Sequence, residues 1–326
     1  LIRRPAPLEN SRQVDVVVFD KTGTLTEGKP RLVDLVVMEG FEEEKLLRWG
    51  AAVEMGTNHP LAAAILREAM VLDLLLPKAA QVIETPGAGV TGFVEGRQVT
   101  IGTKAFIESL EGVHADPRVR ANVEAHRQAG QTVSLMAVDK RVAAVLVMED
   151  PPRSDSREVV QELKKLGVKV HLLTGDGELV AQKVAERVGV DEVVANADPA
   201  GKKVYVEGLQ AKGYKVAMVG DGYNDAAALA QADLGVALGA GTDVAKEAGD
   251  LVLVQGGLGK VVESIRIARS VFKVIRQNLF WAFAYNLAAL PLAVAGKVSP
   301  ALAAAAMALS SLTVVLNALR LFAKRF

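Results

Sequence analysis

The sequence contains no cysteine among its 326 residues. That excludes a disulfide framework, a thiolate zinc or iron–sulfur site and a Cys nucleophile. It has no surplus charge of either sign: 38 basic side chains balance 38 acidic ones. A broad nucleic-acid surface needs a basic excess, so no nucleic-acid partner is expected. There is no internal repeat, and no low-complexity tract apart from Ala enrichment over 301–308. The opening Leu-Ile-Arg-Arg-Pro carries no initiator Met and no signal-peptide pattern, and the chain reads as a piece of a longer protein.

Apolar residues are plentiful. They make up half the chain, and the mean hydropathy of +0.24 is high for a sequence that is 23% charged. At roughly 150 residues per domain, the length suggests about two domains. The apolar surplus lies at one end. Residues 277–296 and 298–319 are runs of 20 and 22 residues without a formal charge, separated by Lys297. Each meets the ~20-residue requirement for crossing a bilayer as a helix. Gly-Lys-Val-Ser-Pro between them predicts a tight hairpin. Arg266, Arg269, Lys273 and Arg276 precede it and Arg320, Lys324 and Arg325 follow, so both ends are expected on the cytoplasmic side. Residues 259–276 read as a basic amphipathic linker helix.

The remainder reads as α/β. Val14–Phe19, Val168–Leu173 and Lys215–Val219 are short β-branched runs suited to buried parallel strands. Helical patterns at 154–167, 177–188, 201–213 and 224–232 alternate with them, which predicts a doubly wound sheet. Ligands of such sheets gather at the carboxyl ends of the strands. Residues 31–147 interrupt the alternation with helical patterns at 42–54 and 60–72 and strand-like stretches near 90–101 and 132–147. They are expected to form an inserted α+β domain, leaving 11–30 and 148–258 as the first domain.

Each predicted strand runs into a polar loop. In Asp20-Lys-Thr-Gly-Thr-Leu-Thr26, a carboxylate at a strand end can act as nucleophile toward phosphorus, and Gly23 lets backbone N–H groups approach phosphoryl oxygens. Thr174-Gly-Asp176 offers a hydroxyl and a turn. Gly220-Asp-Gly-Tyr-Asn-Asp225 would crowd further carboxylates against Asp20, which calls for an oxygen-preferring cation such as Mg²⁺. An Asn/Asp helix cap would account for Asn224 or Asp225 but leaves Asp221 unexplained. Lys202 is suited to neutralising phosphoryl charge.

Together these pieces resemble the haloacid dehalogenase-like fold, and DKTGTLT resembles the phosphorylation loop of P-type ATPases, with TGD, Lys202 and GDGYND in that family's order. The resemblance extends over essentially the whole chain. It implies that Asp20 is phosphorylated by ATP, and that Asp20, the Thr22 carbonyl and Asp221, supported by Asp225, hold Mg²⁺. Thr174 and Lys202 would bind phosphoryl oxygens, with Asn224 in support. The insert is then similar to a nucleotide-binding domain, with Asn58 and His59 of Asn-His-Pro-Leu, Gly87, Gly89, Gly102 and Asp176 as nucleotide residues. Asn58 and Thr103 depart from the Glu and Asn more usual in the heavy-metal branch. In the hairpin, Tyr285, Asn286, Met307, Ser310 and Ser311 resemble the copper(I) branch's membrane metal residues. Their bland alternative is helix–helix packing. A thioether suits a soft monovalent ion better than Zn²⁺, and neither run contains a carboxylate.

The resemblance therefore implies the catalytic part of a copper(I)-exporting ATPase. It would be a multi-pass protein of the plasma or inner membrane with its catalytic domains in the cytoplasm. Membrane lipid, absent N-terminal membrane helices, an actuator domain and a copper chaperone would be its partners. Competing readings are a zinc or cadmium exporter, a soluble-type phosphatase of the same superfamily, and a nucleotide-binding regulatory protein without activity. The phosphatases usually have Asp two residues after the nucleophile, where this chain has Thr22.

Overall fold

The structure, a computed structural model, describes residues 12–57, 60–113, 116–222, 224–238, 249–253, 257–295 and 299–321. Its contacts fall into two units. One is Val18–Gln161 with Lys169–Lys202; the other is the described part of 1–17, 162–168 and 203–326.

Strand β1 (Val16–Asp20) is wholly buried and consists of three valines, a Phe and the terminal Asp. The next six strands are β2 (Arg31–Val37), β3 (Ala79–Thr85), β4 (Gly89–Val94), β5 (Arg97–Gly102), β6 (Thr132–Val138) and β7 (Arg141–Glu149). They form one antiparallel sheet in the order β2-β7-β6-β5-β4-β3. This sheet accounts for the expected insert. Helices α1 (Glu43–Glu54) and α2 (Pro60–Val71) supply Leu46, Leu47 and Ile65 to the core on one face, where Met136, Val138, Ala144 and Leu146 point. Helices α3 (Lys104–Ser109) and α4 (Pro117–Gln128) supply Ile107, Val119 and Val123 to the other, where Leu135, Ala137, Val145 and Val147 point. Alternate residues of β6 and β7 thus enter different cores. Being covered on both faces, these strands read as near-continuous apolar runs.

The second sheet has the order β12-β11-β10-β1-β8-β9. Its further strands are β8 (Lys169–Leu173), β9 (Glu192–Val194), β10 (Val216–Gly220), β11 (Leu234–Leu238) and β12 (Leu251–Leu253), and the pairs β8–β9, β10–β11 and β11–β12 are parallel. Helices α5 (Ser156–Lys165), α6 (Glu178–Val188), α7 (Pro199–Ala211) and α8 (Ala226–Gln231) alternate with these strands, as a doubly wound fold requires. In α5, Val159, Val160 and Leu163 are buried on one stripe. Glu158 in its first turn and Lys164 and Lys165 in its last complement the helix dipole.

Helix α9 (Gly259–Val294) is continuous through 276, so the linker and the first hydrophobic run are a single helix rather than two elements. Its 36 residues span about 54 Å. The first turns bury Val261, Val262, Ile265 and Ala268. Arg266 pairs with Glu162, and Arg269 donates to the Leu166 carbonyl at 2.6 Å, fixing α9 against the end of α5. Helix α10 (Pro300–Leu319) packs back on α9. Asn317 Nδ2 donates to Asn278 Oδ1 at 2.8 Å, and the Tyr285 and Thr313 hydroxyls lie 3.4 Å apart. The hairpin is as expected, but its crossing of a membrane is not shown. Among the described residues no helix is long and apolar enough to cross a membrane, and the expected runs both include residues within 296–298, outside the described set.

Candidate functional site

Asp20 closes β1 with its side chain only 8% exposed, and Lys202, from the first turn of α7, places Nζ 2.5 Å from its Oδ1. A carboxylate held here needs a cation to offset its desolvation, and Lys202 supplies one. The following turn, Lys21–Leu25, is not a regular helix. Thr22 is extended (φ −73°, ψ 127°) and Gly23 takes φ 71°, which a side chain would disfavour.

The turn's carbonyls are claimed one after another. Lys21 accepts from Thr26 N–H, Leu25 from Ser156 Oγ at 2.6 Å and Arg153 N–H at 2.9 Å. The Arg153 guanidinium donates to Gly23, Thr24 and Thr26 at 2.7, 2.9 and 3.2 Å. Thr22 is outside this set and exposed. Thr26 Oγ1 donates to Asp150 at 2.6 Å, so the two chain crossings at 26–30 and 149–153 are stitched together. Arg153 carries no signal in sequence for this role, which depends on carbonyls some 130 residues away.

The second loop joins the same unit. Thr174 is buried, and its Oγ1 donates to Asp176 Oδ2 at 2.7 Å. Asp176 also pairs with Lys21 at 2.7 Å. Burial alone would raise the Asp176 pKa, but Lys21's charge and hydrogen bond, the Thr174 bond and Lys202's charge together hold it below 3.8. Asp176 therefore belongs with Lys21 and Thr174, and it does not line the pocket of the antiparallel domain.

Asp221, Asn224 and Asp225 belong to the other unit. Asp225 is 1% exposed and precedes α8, yet its side chain makes no capping bond there. The capping explanation fails for this residue. A Cβ at Gly220 would lie 2.5 Å from Asp225 Oδ2, so the close approach of that carboxylate requires glycine at 220. Asn224 is exposed, and Tyr223 lies outside the described residues. The Asp20 carboxylate and Thr22 carbonyl of one unit, and the Asp221 carboxylate of the other, are oxygen donors of the chemistry that Mg²⁺ accepts. Among the described residues no group of three or more His, Asp and Glu is itself assembled to hold a metal.

In the antiparallel domain a pocket is lined by Glu54, Thr57, Leu61, Glu84 and Thr85, by Gly87, Ala88, Gly89 and Val90, and by Ile101, Gly102, Thr103 and Ser134. All three expected glycines are here. Gly89 and Gly102 pair across β4 and β5, where a Cβ on Gly89 would meet the Ile101 carbonyl at 2.2 Å and one on Gly102 the Ala88 carbonyl at 2.5 Å. Gly87 has φ 72°. Thr103 caps α3, accepting from Phe106 N–H at 3.2 Å. Asn58 and His59 lie outside the described residues.

The pocket also contains a residue that sequence reasoning missed. Glu54 is 6% exposed, and Thr57 Oγ1 donates to it at 2.6 Å. Burial and the charge of Glu84 raise its pKa above 4.5 against the Thr57 bond. A charged residue on the buried side of an otherwise amphipathic helix was the available signal. Of the expected membrane metal residues, Tyr285 meets Thr313, Met307 is 72% exposed, Ser310 is half-buried and Ser311 exposed. The Asn286 side chain is outside the described set.

A buried carboxylate paired with a lysine, followed by a tight turn on a doubly wound sheet, defines a class, and residues 14–233 match the haloacid dehalogenase-like hydrolases. The chain belongs to that family, in its heavy-metal P-type ATPase branch. It is 41% identical over 314 residues to a copper-exporting P-type ATPase of Bacillus subtilis, covering 96% of this chain and 39% of that protein. It is similar to the crystal structure of a zinc-transporting PIB-type ATPase in the E2.Pi state (TM-score 0.83, 37% identity, 98% of this chain and 52% of that one). The catalytic domain of the CPx-ATPase CopB-B is also similar, with TM-score 0.66 and 28% identity over 81% of this chain and 94% of that one. The chain thus spans about 40% of the length of the curated relative, and about half of the zinc transporter.

Proposed function

We propose that this chain is the ATP-binding and phosphorylated part of a copper(I)-exporting ATPase. The observation that carries the reading is Asp20 at the end of β1, salt-bridged to Lys202 and backed by a turn whose carbonyls are committed to Arg153 and Ser156. ATP would occupy the Glu54–Gly102 pocket, with Leu61, Val90 and Ile101 against the base and Glu54 accepting from an exocyclic amine. An Asp20 carboxylate oxygen would attack the γ-phosphorus as the bond to the ADP oxygen breaks, leaving an acyl phosphate and ADP. Lys202, and Lys21 held by Asp176, would offset phosphoryl charge.

Asp20, Thr22 and Asp221, with Asp225 in support, would hold Mg²⁺, which when bound supplies charge neutralisation between carboxylate and phosphate. In the longer protein, ATP turnover would drive metal across the membrane. The exposed apolar side chains of α9 and α10, such as Phe283, Leu287 and Val294, support contact of this hairpin with lipid or with other membrane helices. Both ends would face the cytoplasm, as would the catalytic units. Copper(I) is favoured over Zn²⁺ by the copper-exporting relative and by a hairpin with Met307 but no carboxylate.

The test is phosphorylation of the longer protein by γ-labelled ATP with Cu⁺ or Zn²⁺. Cu⁺-stimulated label that disappears in Asp20→Asn is expected. Stimulation by Zn²⁺ alone would overturn the copper assignment, and robust cleavage of small phosphomonoesters without ATP would favour a phosphatase.

A further inference from the structure

A groove of about 740 Å³ runs along the middle of α9, within one unit of the chain. Arg12, Arg269, Lys273 and Arg276 line it together with Phe272 and Trp281, and among the described residues no carboxylate does. The α9 residues recur at intervals of three and four, which places them on one stripe of the helix. The stripe is graded. Its cations lie within 269–276, about 10 Å of helix, and its aromatic end at Phe280 and Trp281 begins one turn further on. That sequence of cations and then aromatic rings fits the lipid headgroup layer, some 5–7 Å deep, and the hydrocarbon edge beneath it.

Among the described residues no carboxylate neutralises these charges. Arg266, on another side of α9, is paired with Glu162, whereas among the described residues none of the four groove cations pairs with a carboxylate. Arg12 lies over the Phe272 ring at 4.5 Å. Its Nε is shielded from solvent and makes no hydrogen bond among the described residues, a cost that an anion at the guanidinium would offset.

We infer that this groove binds the phosphate of an anionic phospholipid, with Trp281 against the top of its acyl chains. The inference rests on the proposed membrane setting of the hairpin. The site would tie the catalytic units to the charge of the surrounding leaflet, because α9 is continuous from the groove to its docking against α5. A cation near an anionic surface contributes about a fivefold gain in binding, so removing two weakens it roughly 30-fold.

The experiment uses the full chain in non-ionic detergent, titrated with dibrominated phosphatidylglycerol or dibrominated phosphatidylcholine while tryptophan fluorescence is read. Trp281→Phe serves as the control that assigns the signal. Saturable quenching of Trp281 by phosphatidylglycerol is expected, weakened about 30-fold in Lys273→Gln/Arg276→Gln and not reversed by excess inorganic phosphate. Equal quenching by both lipids leaves the membrane setting intact and overturns this site. Quenching by neither overturns both. An unchanged double variant, or full displacement by inorganic phosphate, also contradicts a lipid headgroup site.

Discussion

Asp20 was identifiable from sequence because a carboxylate ending an apolar run is followed by a turn rich in small and hydroxyl residues. Its partner Lys202 is 182 positions away, and only the fold brings the two within 2.5 Å. Lys202→Met should lower phosphorylation by about 10²–10³-fold, measured as initial rate with labelled ATP, if it offsets charge on the transferring group. The Lys21–Asp176 pair makes a separate prediction. Asp176 has its folded pKa below 3.8, so its contribution to stability is complete above that value and is lost as pH falls through the lowered folded pKa. Asp176→Asn should flatten the acid limb of the denaturation profile. Glu54 behaves oppositely. Its pKa is raised above 4.5, so its carboxyl is most compatible with the fold when protonated, and stability declines as pH rises from 4.5 through the folded value. Glu54→Gln should remove that decline in a urea-denaturation series and weaken ATP binding by about tenfold in calorimetry, since a hydrogen bond to a charged group contributes about 1.5–3 kcal/mol.

Elements buried on one stripe or in one run were readable; elements that depend on partners were less so. The strands expected at 14–19, 168–173 and 215–219 appear as β1, β8 and β10 within two residues. Strand β3 was missed because it is an exposed edge, with alternation too weak to register, and α4 because its mean composition is polar with only Val119 and Val123 buried. The linker helix expected over 259–276 runs on without interruption into the uncharged run, since a change from charged to uncharged side chains does not interrupt backbone hydrogen bonding. Gly89 and Gly102 are expected as nucleotide residues from the resemblance, and both line the pocket. The structure adds that they allow β4 and β5 to approach more closely than any side chain permits. Gly102→Ala should destabilise the antiparallel domain by about 1–3 kcal/mol in a melt of the chain. Arg153→Ala leaves the carbonyls of Gly23, Thr24 and Thr26 without their guanidinium donor. It should slow phosphorylation about tenfold, and Arg153→Lys should restore only part of that, because a single ammonium cannot match the three-way fork.

For the whole molecule, the absence of cysteine bears only on thiolate chemistry within these 326 residues. The balance of charge conceals a separation. The Asp20–Lys202 and Lys21–Asp176 pairs lie beside the sheets, and a cationic stripe lies on α9. Order in the chain made both visible, while their internal geometry needed the fold. The central claim is that Asp20 is the residue that takes the phosphoryl group from ATP. It is tested most directly by incubating the chain with Mg²⁺ and γ-labelled ATP, quenching in acid and locating the label by peptide mass. An acid-stable, hydroxylamine-labile phosphate on the peptide containing Asp20, absent in Asp20→Asn, is expected. Label on any other residue, or undiminished label in Asp20→Asn, would contradict it.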